Sequence, residues 1–234
     1  MSDLRVHPPT GLIRLTVFCC LLGMSVAGVH AAGVRDLAEV RIARLHYDGG
    51  GDWYCDPSSL PNWLELFAAR TGVRTAGSEV VLTLDSEDLY QYPFLYLSGH
   101  GRIALSDPEL VELRRYLDAG GFLYADDNYG LDASFREMVH QLYPGQELIP
   151  LGSNHPIYHS FYDLAGLPKI HQHDGEPAQG YGVFRNGRLV IFYSWSADIG
   201  DGLEDADVHG DPPAAREAAA RMAVNVLMYA LTHP

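Results

Sequence analysis

The chain has 234 residues, 47% of them hydrophobic, which suits one domain with a full core rather than several small ones. A formal charge of −14 repels phosphate backbones and anionic bilayers, so nucleic acid is excluded as a partner class and charged membrane surfaces are poor candidates. Of the three cysteines, Cys19 and Cys20 lie in an N-terminal leader; Cys55 then remains alone, and a lone thiol forms no internal disulfide.

Arg5 and Arg14 frame the start of an apolar run over residues 15–29, and Val29-His30-Ala31 offers short residues where signal peptidase cuts. The run is shorter than the roughly 20 residues that span a bilayer. Residues 1–31 therefore read as a signal peptide and 32–234 as a single exported domain, periplasmic or secreted. The alternative is an uncleaved anchor, the one route by which this chain would meet a membrane. The leader carries a net +1 from Arg5, Arg14 and Asp3, leaving about −15 on the mature chain.

In chain order, residues 40–47 (VRIARLHY) predict a first strand that runs into Asp48-Gly49-Gly50-Gly51-Asp52. Three glycines admit positive φ and close approach of a ligand or another backbone; the alternative is a flexible turn. Ser59 offers a helix cap with Pro61 in the first turn; Leu60, Leu64 and Phe67 recur at helical spacing, and Gly72 supplies the stop. Residues 79–84 and 94–97 predict two more strands. Ser106 and Glu109 form a capping box ahead of a helix whose apolar stripe is Leu110, Leu113 and Leu117. Gly120-Gly121 ends it, and residues 122–125 predict a fourth strand closing in Asp126-Asp127.

A strand, helix, strand passage of this length makes the two strands parallel neighbours. A further helix is expected over 132–142, then an irregular excursion over 144–177. Residues 181–184 and 189–194 flank Asn186-Gly187, a hairpin signal, placed as an antiparallel addition at the sheet edge. An acidic segment over 198–211 and a final helix over about 213–231 follow. Strands alternating with helices predict an α/β fold, a mostly parallel sheet with helices on both faces and an edge hairpin.

Several separated motifs then match in order: Gly51-Asp52-Trp53-Tyr54, Leu60-Pro61-Asn62, Tyr96-Leu97-Ser98-Gly99-His100-Gly101, Leu113-Arg114-Arg115-Tyr116-Leu117, Gly120-Gly121-Phe122-Leu123, Asp126-Asp127, and His155-Pro156-Ile157 with Phe161 and Asp163. On these residues the chain resembles the domain-of-unknown-function family 4159, which looks like part of the class I glutamine amidotransferase-like superfamily. The resemblance implies a flavodoxin-like sandwich and no particular activity. The superfamily works through a cysteine at a strand-to-helix turn, and at the comparable turn the resemblance places Asp126-Asp127 of this chain. Glutamine hydrolysis is accordingly not expected, since an aspartate cannot replace a thiolate there. Cys55 could act only from its own loop, and a lone cysteine is more often packing.

Ligands in open α/β sheets bind beyond the carboxyl ends of the strands. His100 between two glycines, with Asp126 and Asp127 on the neighbouring strand, suits acid–base work or a metal; the structural alternative is that the aspartates cap a helix or bind backbone. Asp52, Trp53, Tyr54, Ser98, His155 and His159 complete the expected ligand-binding set. Tyr129, Tyr158, Tyr162 and Trp195 are further aromatics with either a stacking or a packing role. For a divalent metal the candidates are His155, His159, His171 and His173. His155 and His159 have the spacing of one helix face, which Pro156 disfavours, whereas His171 and His173 would share one face of a strand. The acidic segment fails the EF-hand pattern, with Arg216 where its twelfth ligand should be, and reads as a solvated turn.

Two functional expectations result. One is an exported ligand-binding or assembly module for an unknown small molecule or protein partner. The other is a hydrolase, metal-dependent or not, using His100 with Asp126 or Asp127.

Overall fold

The computed structural model describes residues 39–171 and 175–233; the expected signal peptide and His173 lie outside them. Seven strands form one sheet: β1 (Ala43–Leu45), β2 (Val80–Leu82), β3 (Phe94–Leu97), β4 (Phe122–Asp126), β5 (Ile149–Pro150), β6 (Gln179–Arg185) and β7 (Arg188–Trp195). Their spatial order is β2-β1-β3-β4-β7-β6-β5. The five from β2 to β7 run parallel, and β6 and β5 continue antiparallel. Four α-helices among the described residues complete the fold: α1 (Ser59–Thr71), α2 (Asp107–Asp118), α3 (Asp132–Leu142) and α4 (Pro213–Thr232).

Period-two alternation sends Phe94, Tyr96, Phe122 and Tyr124 to one face, where they meet Trp63 and Phe67 of α1 and Val226 of α4. Leu95, Leu97, Leu123 and Ala125 point the other way, onto Leu113 and Leu117 of α2 and Phe135 and Val139 of α3. Burial of both faces is why these strands read as unbroken apolar runs. Trp63 anchors the first face, edge-on to Phe94, Tyr96 and Tyr124 with centroids 5.7, 6.1 and 5.7 Å away. The expected flavodoxin-like α/β architecture is what forms.

Local signals hold where no tertiary partner competes. Glu109 accepts the Ser106 N–H at 2.7 Å in the capping box of α2, and Gly72 closes α1 at φ 74°. At the start of α1 a partner does compete. Ser58, rather than Ser59, occupies the cap position, and its hydroxyl donates to Glu204 at 3.0 Å and accepts no N–H from its own helix. Ser59 turns back to donate to the Asp56 carbonyl at 2.7 Å.

Asn186 and Gly187 take φ 52° and 81°, the two-residue hairpin turn expected of them. The hairpin is not at the edge, however. Its β7 pairs in parallel with β4 inside the sheet, because Val190, Ile191 and Phe192 are buried on both faces, and β5 forms the edge beyond β6. One α4 side chain hydrogen-bonds the backbone of the irregular excursion at three points. Asn225 accepts the Phe161 and Tyr162 N–H groups at 3.0 and 2.7 Å and donates to the Tyr162 carbonyl at 2.8 Å.

Candidate functional site

The chain leaves β1 for β2 on one side and returns to β3 on the other, so the strand order switches between β1 and β3. In open α/β sheets the ligand crevice lies above the carboxyl ends of the strands at such a point. The loops after β1 and β3 interlock there: Gly51 donates its N–H to the Arg102 carbonyl at 2.8 Å and Asp52 to the His100 carbonyl at 3.2 Å. A Cβ on Gly51 would stand 2.7 Å from the Arg102 oxygen, so glycine is what lets the two backbones meet. Asp52 reaches across the junction, accepting the His100 backbone N–H with one carboxylate oxygen and facing His100 Nδ1 at 3.2 Å with the other. The carboxylate that partners His100 is thus Asp52 rather than Asp126 or Asp127.

Beneath this junction Arg44 is buried in β1. Its guanidinium donates to the carbonyls of Cys55 at 2.8 Å, Asp56 at 3.2 Å and Trp53 at 3.4 Å, and pairs with Glu79 at 3.4 Å. One charge so collects three backbone acceptors of the loop. The loop therefore holds Cys55 over the sheet, with its thiol 3.4 Å from an Asp56 carboxylate oxygen and 3.5 Å from Ser98 Oγ. Burial, aided by the charge of Asp56, pushes the Cys55 thiol far above its ordinary range. That shift disfavours the thiolate, the form in which a cysteine acts as a nucleophile. Ser98 is buried and donates to Asn128 Oδ1 at 2.8 Å, while Asn128 Nδ2 donates to Asp56 at 3.1 Å and Asp201 at 3.4 Å.

Asp126 and Asp127 face inward instead of presenting themselves to solvent. Asp126 is fully buried and accepts from Tyr124 at 3.1 Å, Ser194 at 2.5 Å and the Gly200 N–H at 2.6 Å. Burial pushes its carboxyl up to about 6 although those donors oppose the shift. Asp127 accepts the Ser196 N–H at 3.1 Å, and burial pushes it up to about 7. Both aspartates organise the turn after β7.

That turn overturns the expectation of a solvated acidic segment. Asp205 and Asp207 are exposed, but Asp198, Asp201 and Glu204 are buried because the segment folds under α1 and α4. Burial, then the charges of Asp126 and Asp127, raises Asp198 to about 8, with Lys169 partly offsetting them. Burial and Asp56 likewise raise Asp201. Two imidazoles meet this group. His171 lies between Asp201, 2.7 Å from Nδ1, and Asp211, 2.8 Å from Nε2. His209 Nε2 lies 3.3 Å from Glu204 and 3.9 Å from Asp201. Asp56, Ser196 and Asp198 adopt positive φ of 53°, 57° and 56°, strain of the kind that concentrates at sites.

Three groups among the described residues bring ligand atoms within 4.8 Å of one another: Asp52, Cys55 and His100; His171, Asp201 and His209; Asp56, Glu204 and His209. His155 and His159 belong to none. His155 Nδ1 accepts the Ile157 N–H at 3.2 Å, as a cap before Pro156, and its ring packs near Phe184 and Tyr229. Tyr229 itself packs on Phe122 at the start of β4, so this histidine sits at the opposite end of the parallel strands from the crevice. His159 engages Asp163 at 2.5 Å and the Ser153 carbonyl at 2.8 Å within its own loop.

Of the aromatics, Tyr54 and Tyr129 are 65% and 59% exposed, whereas Trp53 stacks on His46 at 4.2 Å and Tyr158 is core. Tyr129 is tied to the rim because the loop carrying it packs on the His100 loop: a Cβ on Gly130 would lie 3.6 Å from the Gly101 nitrogen. Tyr162 lies beside Arg70 and Arg221, and Trp195 is edge-on to Tyr181.

Arg44, Asp56 and Asn128 carry much of this geometry without a motif to announce them. Asp201, Glu204, His209 and Asp211 had a signal, since they follow β7, whose carboxyl end joins the same rim. A family model described as a domain of unknown function, DUF4159, matches residues 41–231. The chain belongs to that family. A comparison with curated proteins found no significant match.

Proposed function

We propose that this DUF4159 member is an exported ligand-binding module that holds a small polar molecule at the crevice between β1 and β3 and performs no thiolate chemistry. The observation that carries the reading is the Asp52–His100 pair, half-exposed at the strand-order switch and flanked by exposed Tyr54 and Tyr129. An imidazole and a carboxylate supply directional polar contacts, and the tyrosines supply apolar faces for a ring or sugar. The strand order supports placing the family with the class I glutamine amidotransferase-like superfamily, while burial of Cys55, which raises its thiol pKa, argues against that superfamily's chemistry. Export rests on Arg5, Arg14 and the apolar run that follows; N-terminal sequencing of the mature protein should begin near residue 32, and an intact Met1 would refute cleavage.

The test is thermal shift against glucose, N-acetylglucosamine, arginine, spermidine and glutamine. At least one probe should raise Tm, and His100→Ala should abolish the rise with the fold intact. If no probe raises Tm, or if the rise survives His100→Ala, the crevice is not the binding site. Glutamine hydrolysis lost in Cys55→Ser would refute the absence of thiolate chemistry.

One observation favours the hydrolase reading: Asp52 faces Nδ1 of His100, leaving Nε2 as the nitrogen it does not engage, the orientation of a general base. In that reading Asp52 takes the place expected of Asp126 or Asp127. Turnover of p-nitrophenyl esters or phosphates that falls at least 100-fold in His100→Ala would support it.

A further inference from the structure

The buried cluster behind the crevice has a chemical imbalance. Asp56, Asp201 and Glu204 are buried and Asp211 has a side chain only 6% exposed, yet among the described residues none of these four carboxylates makes an ion pair with lysine or arginine. The basic side chains beside them are two imidazoles, His171 and His209. One Asp211 oxygen, Oδ2, is buried with no hydrogen-bond partner among the described residues. Buried carboxylates are normally paired or coordinate a metal.

The donor arrangement favours a metal. His171 presents Nδ1 toward Asp201 while its Nε2 is held by Asp211, the carboxylate–histidine relay that orients a ligating imidazole. His209 brings a second imidazole nitrogen to Asp201 and Glu204, and the two rings are 5.1 Å apart. Donors about 2.0–2.2 Å from one ion sit roughly 3–3.6 Å from each other, so a small closing movement of His209 and a small opening at His171 would suffice. With side chains 21% and 29% exposed, His171 and His209 leave the ion a way in.

We propose that His171, Asp201 and His209, with Glu204 adjoining and Asp211 orienting His171, bind one divalent transition-metal ion such as zinc. Nitrogen and carboxylate donors without thiolate suit Zn²⁺ and its first-row neighbours. The ion would take the place of the direct His171–Asp201 contact and offset the charge of the carboxylates around it. The proposal does not depend on the crevice binding a ligand: its readouts fall on different residues, so either can fail alone.

Protein purified without a polyhistidine tag and stripped with EDTA should be titrated with ZnCl₂ by calorimetry and with CoCl₂ by visible absorption. One equivalent per chain is expected, with a cobalt spectrum lacking intense thiolate bands. His209→Ala, a partly exposed position whose fold can be checked by circular dichroism, should weaken zinc at least tenfold, and Asp211→Asn should weaken it less. His159→Ala should bind as the unaltered protein does. Absence of stoichiometric binding, or equal binding in a folded His209→Ala, overturns the site. Binding retained in His209→Ala but lost in Cys55→Ser would place the ion at Asp52, Cys55 and His100 and overturn it equally.

Discussion

Two corners of one rim are built by opposite means. At the β1–β3 corner glycine backbones interlock, and a single exposed imidazole–carboxylate pair is left facing solvent. At the β4–β7 corner, by contrast, acidic side chains are drawn under α1 and α4 and kept there by hydrogen bonds from Tyr124, Ser194, Ser58 and Asn128. The first corner costs little to alter; the second stores unfavourable burial of charge that the rest of the fold must offset. The difference teaches that polar residues at a strand end become a surface site or a buried cluster according to what packs over them.

The largest effect should come from the residue that joins the corners. Arg44→Ala removes the charge that gathers three loop carbonyls, and should cost about 3–5 kcal/mol in urea unfolding, in line with other losses of one buried ionic partner. A loss below about 1 kcal/mol would mean that the loop holds itself and that the corners are independent.

Next comes pH, which should separate the corners in EDTA. Asp126, Asp127 and Asp198 titrate at about 6, 7 and 8 in the fold, above their ordinary 3.8, because burial disfavours the charge. Each raised carboxyl holds its proton more tightly folded than unfolded. Its contribution is therefore complete below the ordinary value and is lost as pH rises through about 6 to 8. Unfolding free energy should fall by a few kcal/mol between pH 4 and pH 8. Flat stability over that window would show that the buried corner carries no such penalty.

Smaller still is Asn225→Ala, which strips two N–H groups of the excursion of their acceptor and should cost about 1–3 kcal/mol. The smallest is Asp52→Asn at the exposed corner. A half-exposed pair is worth at most about 1 kcal/mol, so Tm should hardly move. A large loss there would put the β1–β3 corner in the same class as the buried one.

Much of the architecture was legible from periodicity. Residues 94–97 and 122–125 announced parallel strands, Ser106 with Glu109 announced a helix start, and Asn186-Gly187 announced a turn. Each depends on contacts within a few residues, where local sequence and local energy coincide. Placement was not legible: the hairpin sits inside the sheet, and Ser58 abandons its own helix for Glu204, 146 residues away.

The site divides in the same way. That His100 and the residues around 126 would reach one edge followed from strand direction, which the sequence by itself determined through the alternation of strand and helix. Which carboxylate His100 meets, why Asp126 is buried, and how His171, Asp201 and His209 gather were decided only by the tertiary structure. The physical reason is range: a period of two or 3.6 residues is written in adjacent side chains, whereas burial and pairing of charge depend on neighbours that only the closed fold supplies.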